Sequence, residues 1–110
     1  MKKSVSIIGG GSAALILAAT LDEQKFDVTI YEKNNTLGRK FLVAGDGGFN
    51  LTHSEEAEQF ISRYTPSLFF STIISSFNNS DFRKWLSSVG IETFVGSSGR
   101  VFPIRGRKPI

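Results

Sequence analysis

The chain begins with an alternation of polar and apolar positions that soon changes period. Val5, Ile7 and Ile8 form a short apolar run that meets Gly9-Gly10-Gly11, and a stretch of Ala, Leu and Ile from Ser12 onward follows. This pattern predicts a strand, a tight turn and a helix reaching about Gln24, apolar nearly all round and so buried on several sides. In Phe26-Asp27-Val28-Thr29-Ile30-Tyr31-Glu32, polar and apolar residues alternate, which predicts a second strand closed by Glu32.

Helical spacing returns further on. Thr52-His53-Ser54-Glu55 has the form of a capping box and predicts a helix through about Tyr64. Pro66 is expected to open another helix, with Leu68, Phe69, Ile73, Ile74 and Phe77 apolar. Asn78-Asn79-Ser80 breaks and caps, and a third helix carries Phe82, Trp85, Leu86 and Val89 on one stripe before Gly90 ends it. That aromatic stripe is read as core packing, not as a stacking platform. Ile91–Val95 and Arg100–Pro103 are expected to be strands of a hairpin joined by the four residues Gly96-Ser97-Ser98-Gly99.

The glycine cluster carries chemistry. Gly9, Gly11 and Ala14 spell G-x-G-x-x-A after a strand and at the start of a helix. Gly9 allows the tight turn, Gly11 lets the backbone approach a pyrophosphate, and Ala14 lets the helix pack closely on the sheet. The N–H groups at the helix start, with the positive end of its dipole, suit phosphate. Glu32 falls about twenty residues beyond, where a carboxylate accepts hydrogen bonds from adenosine ribose hydroxyls. No arginine directly follows it, although Lys33 does, which favours FAD or NAD over NADP. The Gly45-Asp46-Gly47-Gly48-Phe49-Asn50 stretch can converge its N–H groups into an anion nest, and is expected to be a second cofactor-contacting segment.

Bulk properties narrow the classes. At 110 residues with 40% hydrophobic content and ten phenylalanines, the chain is large enough for one small domain. Cysteine is absent, so redox chemistry here requires a bound cofactor. That absence also fits a cytoplasmic location. The net charge of +3 owes much to Arg100, Arg105, Arg107 and Lys108. With no RNA-binding aromatic signature and no metal-ligand spacing, neither a nucleic-acid partner nor a metal is expected. No stretch is long and apolar enough to span a membrane. Met1-Lys2-Lys3 followed by apolar residues also resembles a secretory signal, but three glycines interrupt the apolar run and a signal gives no reason for Glu32 at its distance. His53, the single histidine, is read as a helix-start residue, since no Asp or Glu makes a triad with it; no catalytic residue is assigned.

These motifs together resemble a family of bacterial flavoproteins, the NAD(P)/FAD-dependent oxidoreductases of aminoacetone-oxidase or bile-acid-reductase type. The residues carrying the resemblance are Ile8–Ala14, Tyr31-Glu32-Lys33, Gly38-Arg39-Lys40, Gly45–His53 and Ser98–Pro103. It covers essentially the whole chain in order. It implies FAD in an extended form, with Gly9, Gly11, Ser12, Ala13 and Ala14 at the pyrophosphate and Glu32 at the ribose. Lys33, Arg39 and Lys40 would lie by the adenine or phosphates, and the loop with Gly45, Gly47 and Asn50 near the flavin, with NAD(P)H as co-substrate. The family commonly has Gly-Arg-Cys-Asn where this chain has Gly47-Gly48-Phe49-Asn50, so nothing is carried over for that arginine and cysteine.

Family members are several times longer. The expected fold is therefore α/β: residues 1–110 as the N-terminal βαβ of a Rossmann-like FAD-binding domain followed by helices and a β-hairpin, an incomplete domain. Such a piece is expected to be inactive alone, to bind FAD weakly or not at all, and to associate with itself or with the missing C-terminal part. The alternative is a non-catalytic nucleotide- or partner-binding fragment.

Overall fold

The computed structural model describes residues 1–40 and 49–104. The chain divides into two compact units, Met1–Asp46 and Gly47–Ile110.

In the first unit, β1 (Lys3–Ile8) and β2 (Phe26–Tyr31) run parallel, joined through α1 (Ser12–Thr20). Register runs from Lys3 opposite Phe26 to Ile8 opposite Tyr31. The Gly9 N–H extends the ladder by one bond, to the Tyr31 carbonyl at 2.7 Å. Parallel strands need a crossover of this kind because a tight turn cannot join them. Ile7 and Ala14 are buried where the helix lies on the sheet. α1 departs from expectation in two ways. It ends at Thr20 and not near Gln24, and Ala14 is its one buried residue. Leu21 turns extended, with ψ 135°, while the Thr20 hydroxyl donates back to the Ile16 carbonyl at 2.9 Å and Asp22 accepts the Gln24 N–H at 2.9 Å. These local bonds compete with another helical turn. A two-stranded sheet covers only one line of the helix, so Leu17 stays 45% exposed.

In the second unit, β3 (Thr52–His53), β5 (Arg100–Pro103) and β4 (Thr93–Val95) form an antiparallel sheet in the order β3-β5-β4. Between β3 and β4 run α2 (Ala57–Ser62), α3 (Ser67–Ser76) and α4 (Asn79–Ser88). Val101 on the central strand is fully buried, and Ile74 and Leu86 are the buried apolar residues of the helices. α4 is bounded as the sequence suggests. Asn78 and Asp81 exchange side-chain bonds with each other's backbone N–H at 2.9 Å in a capping box. Gly90, at φ +87°, ends it: its N–H and that of Ile91 reach the Ser87 and Leu86 carbonyls.

Three expectations here need correction. Thr52 and His53 do not start a helix. They pair with Val101 and Arg100, and Glu55 bonds Arg63 at 3.0 Å instead of reaching back to Thr52. The helix begins at Ala57, with no side-chain cap. Pro66 is the residue before α3, not its first. The hairpin loop has three residues, because Gly96 joins the ladder through its N–H to the Arg100 carbonyl at 2.8 Å. Ser97-Ser98-Gly99 then turn the chain, with Gly99 at φ +81°.

Candidate functional site: a glycine turn with a carboxylate seated on it

The site lies in the first unit, where β1 gives way to α1. Gly9 takes φ +92°, a conformation costly for any residue with a Cβ. Gly11 is the N-cap of α1 and supplies no side-chain cap. The first intrahelical bond runs from the Leu15 N–H to the Gly11 carbonyl at 3.0 Å, so Ser12, Ala13 and Ala14 have no acceptor within the helix. Space beside Gly11 is open: a Cβ built there meets no atom within 4 Å. An anion placed over this helix start would find several N–H donors and the positive end of the dipole.

Glu32 follows directly on β2, and its carboxylate turns to the glycines. Oε2 accepts the Gly10 N–H at 2.6 Å. Oε1 accepts the Asn34 N–H at 3.0 Å and the Asn34 Nδ2 at 3.3 Å. The Asn34 and Gly10 backbone donors hold the carboxyl below its usual range, against the smaller opposing effect of desolvation. A carboxylate kept ionised beside a helix start can accept hydrogen bonds from a vicinal diol there.

Gly9, Gly11, the start of α1 and Glu32 are thus brought together. Lys33, Arg39 and Lys40 are exposed, the last two on helical backbone just past Gly38. Gly45 and Gly47 lie outside the described residues, and Asn50 belongs to the second unit. Sequence reasoning gave no part in the site to Gly10, Asn34 or Leu37. Gly10 is buried, its carbonyl accepts the Gly38 N–H at 2.7 Å, and a Cβ on it would collide with Leu37 Cδ2. The signal available in sequence was a glycine at the variable second place of the motif.

The second unit has a polar hollow of about 290 Å³ whose lining includes His53, Glu55, Asn79 and Arg83. Asn79 donates to the His53 and Glu55 carbonyls at 2.6 and 2.8 Å. Arg83 donates to Thr93 Oγ1 at 2.8 Å. His53 sits on a strand, not at the helix start expected for it. Its Nδ1 accepts the Glu55 N–H at 3.1 Å, which leaves Nε2 to donate to the Ser98 carbonyl at 3.2 Å. Both ring nitrogens serve structure. No metal-binding cluster of His, Asp or Glu occurs among the described residues.

A parallel β-α-β unit with a glycine turn at its helix start and an acidic residue ending its second strand defines a nucleotide-binding domain of Rossmann type. Comparison with known families places it further. Residues 3–109 match the HI0933-like protein Rossmann domain, and the chain belongs to that family, whose members are of the FAD-binding flavoprotein type. It is similar to a ribosomal RNA dihydrouridine synthase of Haemophilus influenzae, with 30% identity over 104 residues. That alignment takes in 94% of this chain and 26% of the relative, so the chain spans about a quarter of that protein's length. Among the described residues, no helix is long and apolar enough to cross a membrane.

Proposed function

We propose that this chain forms the adenosine–pyrophosphate cradle for FAD in a flavin-dependent oxidoreductase. The observation that carries this is the Glu32 carboxylate seated at the Gly10 N–H, beside an uncapped helix start with open space at Gly11. Gly11, Ser12, Ala13 and Ala14 would hold the pyrophosphate through backbone N–H groups, Gly9 would set the turn, and Glu32 would accept from the ribose. Lys33, Arg39 and Lys40 supply positive charge nearby, and Gly45, Gly47 and Asn50 are proposed for the flavin side. Bound flavin would supply hydride transfer, with NAD(P)H as the reductant; no residue of this chain is proposed as acid or base.

The named relative bears on the substrate. Because it is a ribosomal RNA dihydrouridine synthase, we propose that the longer protein of which this segment is typical reduces a uracil ring in RNA. On this reading the RNA is recognised elsewhere in that longer protein, while the glycine turn of this segment serves the dinucleotide.

ADP and FAD titrations of the 110-residue chain, followed by amide chemical shifts, test the cradle. Shifts are expected at Gly9–Ala14 and Asn34, with an FAD Kd weaker than micromolar, because part of a site gives up contact area while the cofactor is still ordered. Absence of shifts at those amides at millimolar ADP would sink the proposal.

A further inference from the structure

The segment after β2 folds back on the glycine turn and holds one residue of it from three sides. The Gly10 N–H is held by Glu32 Oε2, and its carbonyl by the Gly38 N–H at 2.7 Å. Its α-carbon faces Leu37 Cδ2, while a Cβ there would also stand 3.1 Å from Glu32 Oε2. Gly38 reaches this position at φ +62° and is buried. Asn34 ties the other carboxylate oxygen with its N–H and side-chain amide. None of these contacts is made by the residues of the G-x-G-x-x-A motif that face the helix start.

We propose that Asn34, Leu37 and Gly38 form a clasp that positions Glu32 for the adenosine ribose, and that Gly10 is glycine so that this clasp can seat, an inference that rests on the cofactor reading above. A carboxylate has about four lone-pair sites, and three protein donors already occupy the Glu32 oxygens. These donors fix the direction in which the remaining lone pairs are offered, so the clasp aims the charge-assisted hydrogen bonding to the ribose. Pyrophosphate meets the helix N–H groups, which the clasp does not touch. Recognition of the two halves of the ligand is therefore separable: the clasp sets affinity for the sugar, the helix start for the phosphates.

The test uses the 110-residue chain with ADP and inorganic pyrophosphate as probes, each titrated by NMR. Asn34→Ala and Leu37→Ala are expected to raise the ADP Kd about tenfold, the loss of one hydrogen bond to a charged group. Their pyrophosphate Kd is expected to stay within about twofold of wild type. Gly10→Ala is expected to behave like Leu37→Ala, and the losses in the double variant Gly10→Ala/Leu37→Ala to be less than additive, since shortening Leu37 relieves the closest contact of the new methyl while its contact with Glu32 Oε2 remains. An unchanged ADP Kd in the variants, or equal loss of both ligands, overturns the clasp while the cofactor reading stands. A wild-type chain that binds neither probe overturns both.

Discussion

Glu32 accepts the Gly10 N–H at 2.6 Å, joining the residue after β2 to the turn that leaves β1. The bond spans 22 residues and fixes the acidic end of one strand against the glycines of its parallel neighbour. Its consequence for stability is a pH dependence. The folded state holds this carboxyl below its ordinary value of 4.5. A depressed folded-state pKa contributes stability that is present in full above the unfolded value and is lost as pH falls through the folded one. Glu32→Gln is therefore expected to flatten the acid side of the urea midpoint against pH, starting just above 4.5. An acid limb identical to wild type would mean that the carboxylate makes no such contact in solution.

Asn79 is buried and bridges the His53 and Glu55 carbonyls. Asn79→Ala leaves two acceptors without their donor, and is expected to cost about 2–3 kcal/mol in urea unfolding. Asn78→Ala removes only the helix cap, and is expected to cost about 1 kcal/mol. A reversed order of the two would show that the bridge is wet.

Val101 has no exposed surface and lies on the strand between β3 and β4. Val101→Ala is expected to destabilise the chain by about 2 kcal/mol, the transfer of two methyls plus the cavity they leave. Thermal unfolding followed by circular dichroism reads this directly. Val89→Ala on the 55% exposed Val89 is expected to change the midpoint little.

Leu68, Phe69 and Ile73 of α3 are 86, 64 and 55% exposed, and Ile8 of β1 is 82% exposed. Apolar surface of this kind favours association. Concentration-dependent growth in light scattering is expected, and Leu68→Ser/Phe69→Ser is expected to reduce it. A strictly monomeric wild type at high concentration would count against this.

How far the sequence reveals this structure depends on the range of the interactions. The strand, turn and helix around Gly9–Ala14 and the position of Glu32 are written locally, in glycine spacing and strand period. So is the α4 cap, where Asn78 and Asp81 stand three apart. Thr52–Glu55 has the same local form yet becomes strand and ion pair, because Arg100 and Val101 offer Thr52 and His53 a ladder and Arg63 offers Glu55 a charge. The strand partners lie nearly 50 residues further on, beyond any window of local sequence. α1 ends short of its apolar run for a different, local reason: apolar residues run on through Leu21, but Thr20 and Asp22 bond to nearby backbone and stop the helix. In the site, Leu37 and Gly10 are joined by shape alone, which residue spacing does not announce.

The His53 ring occupies the place where a side chain on residue 99 would begin: a Cβ on Gly99 would stand 2.7 Å from its Cε1. The tip of a hairpin is usually where a chain accepts insertions, tags or grafted epitopes most readily. Here that freedom is withdrawn, because Ser98 at the same tip also receives a bond from an imidazole 45 residues earlier. A protein engineer seeking a permissive site in the second unit should leave this turn alone.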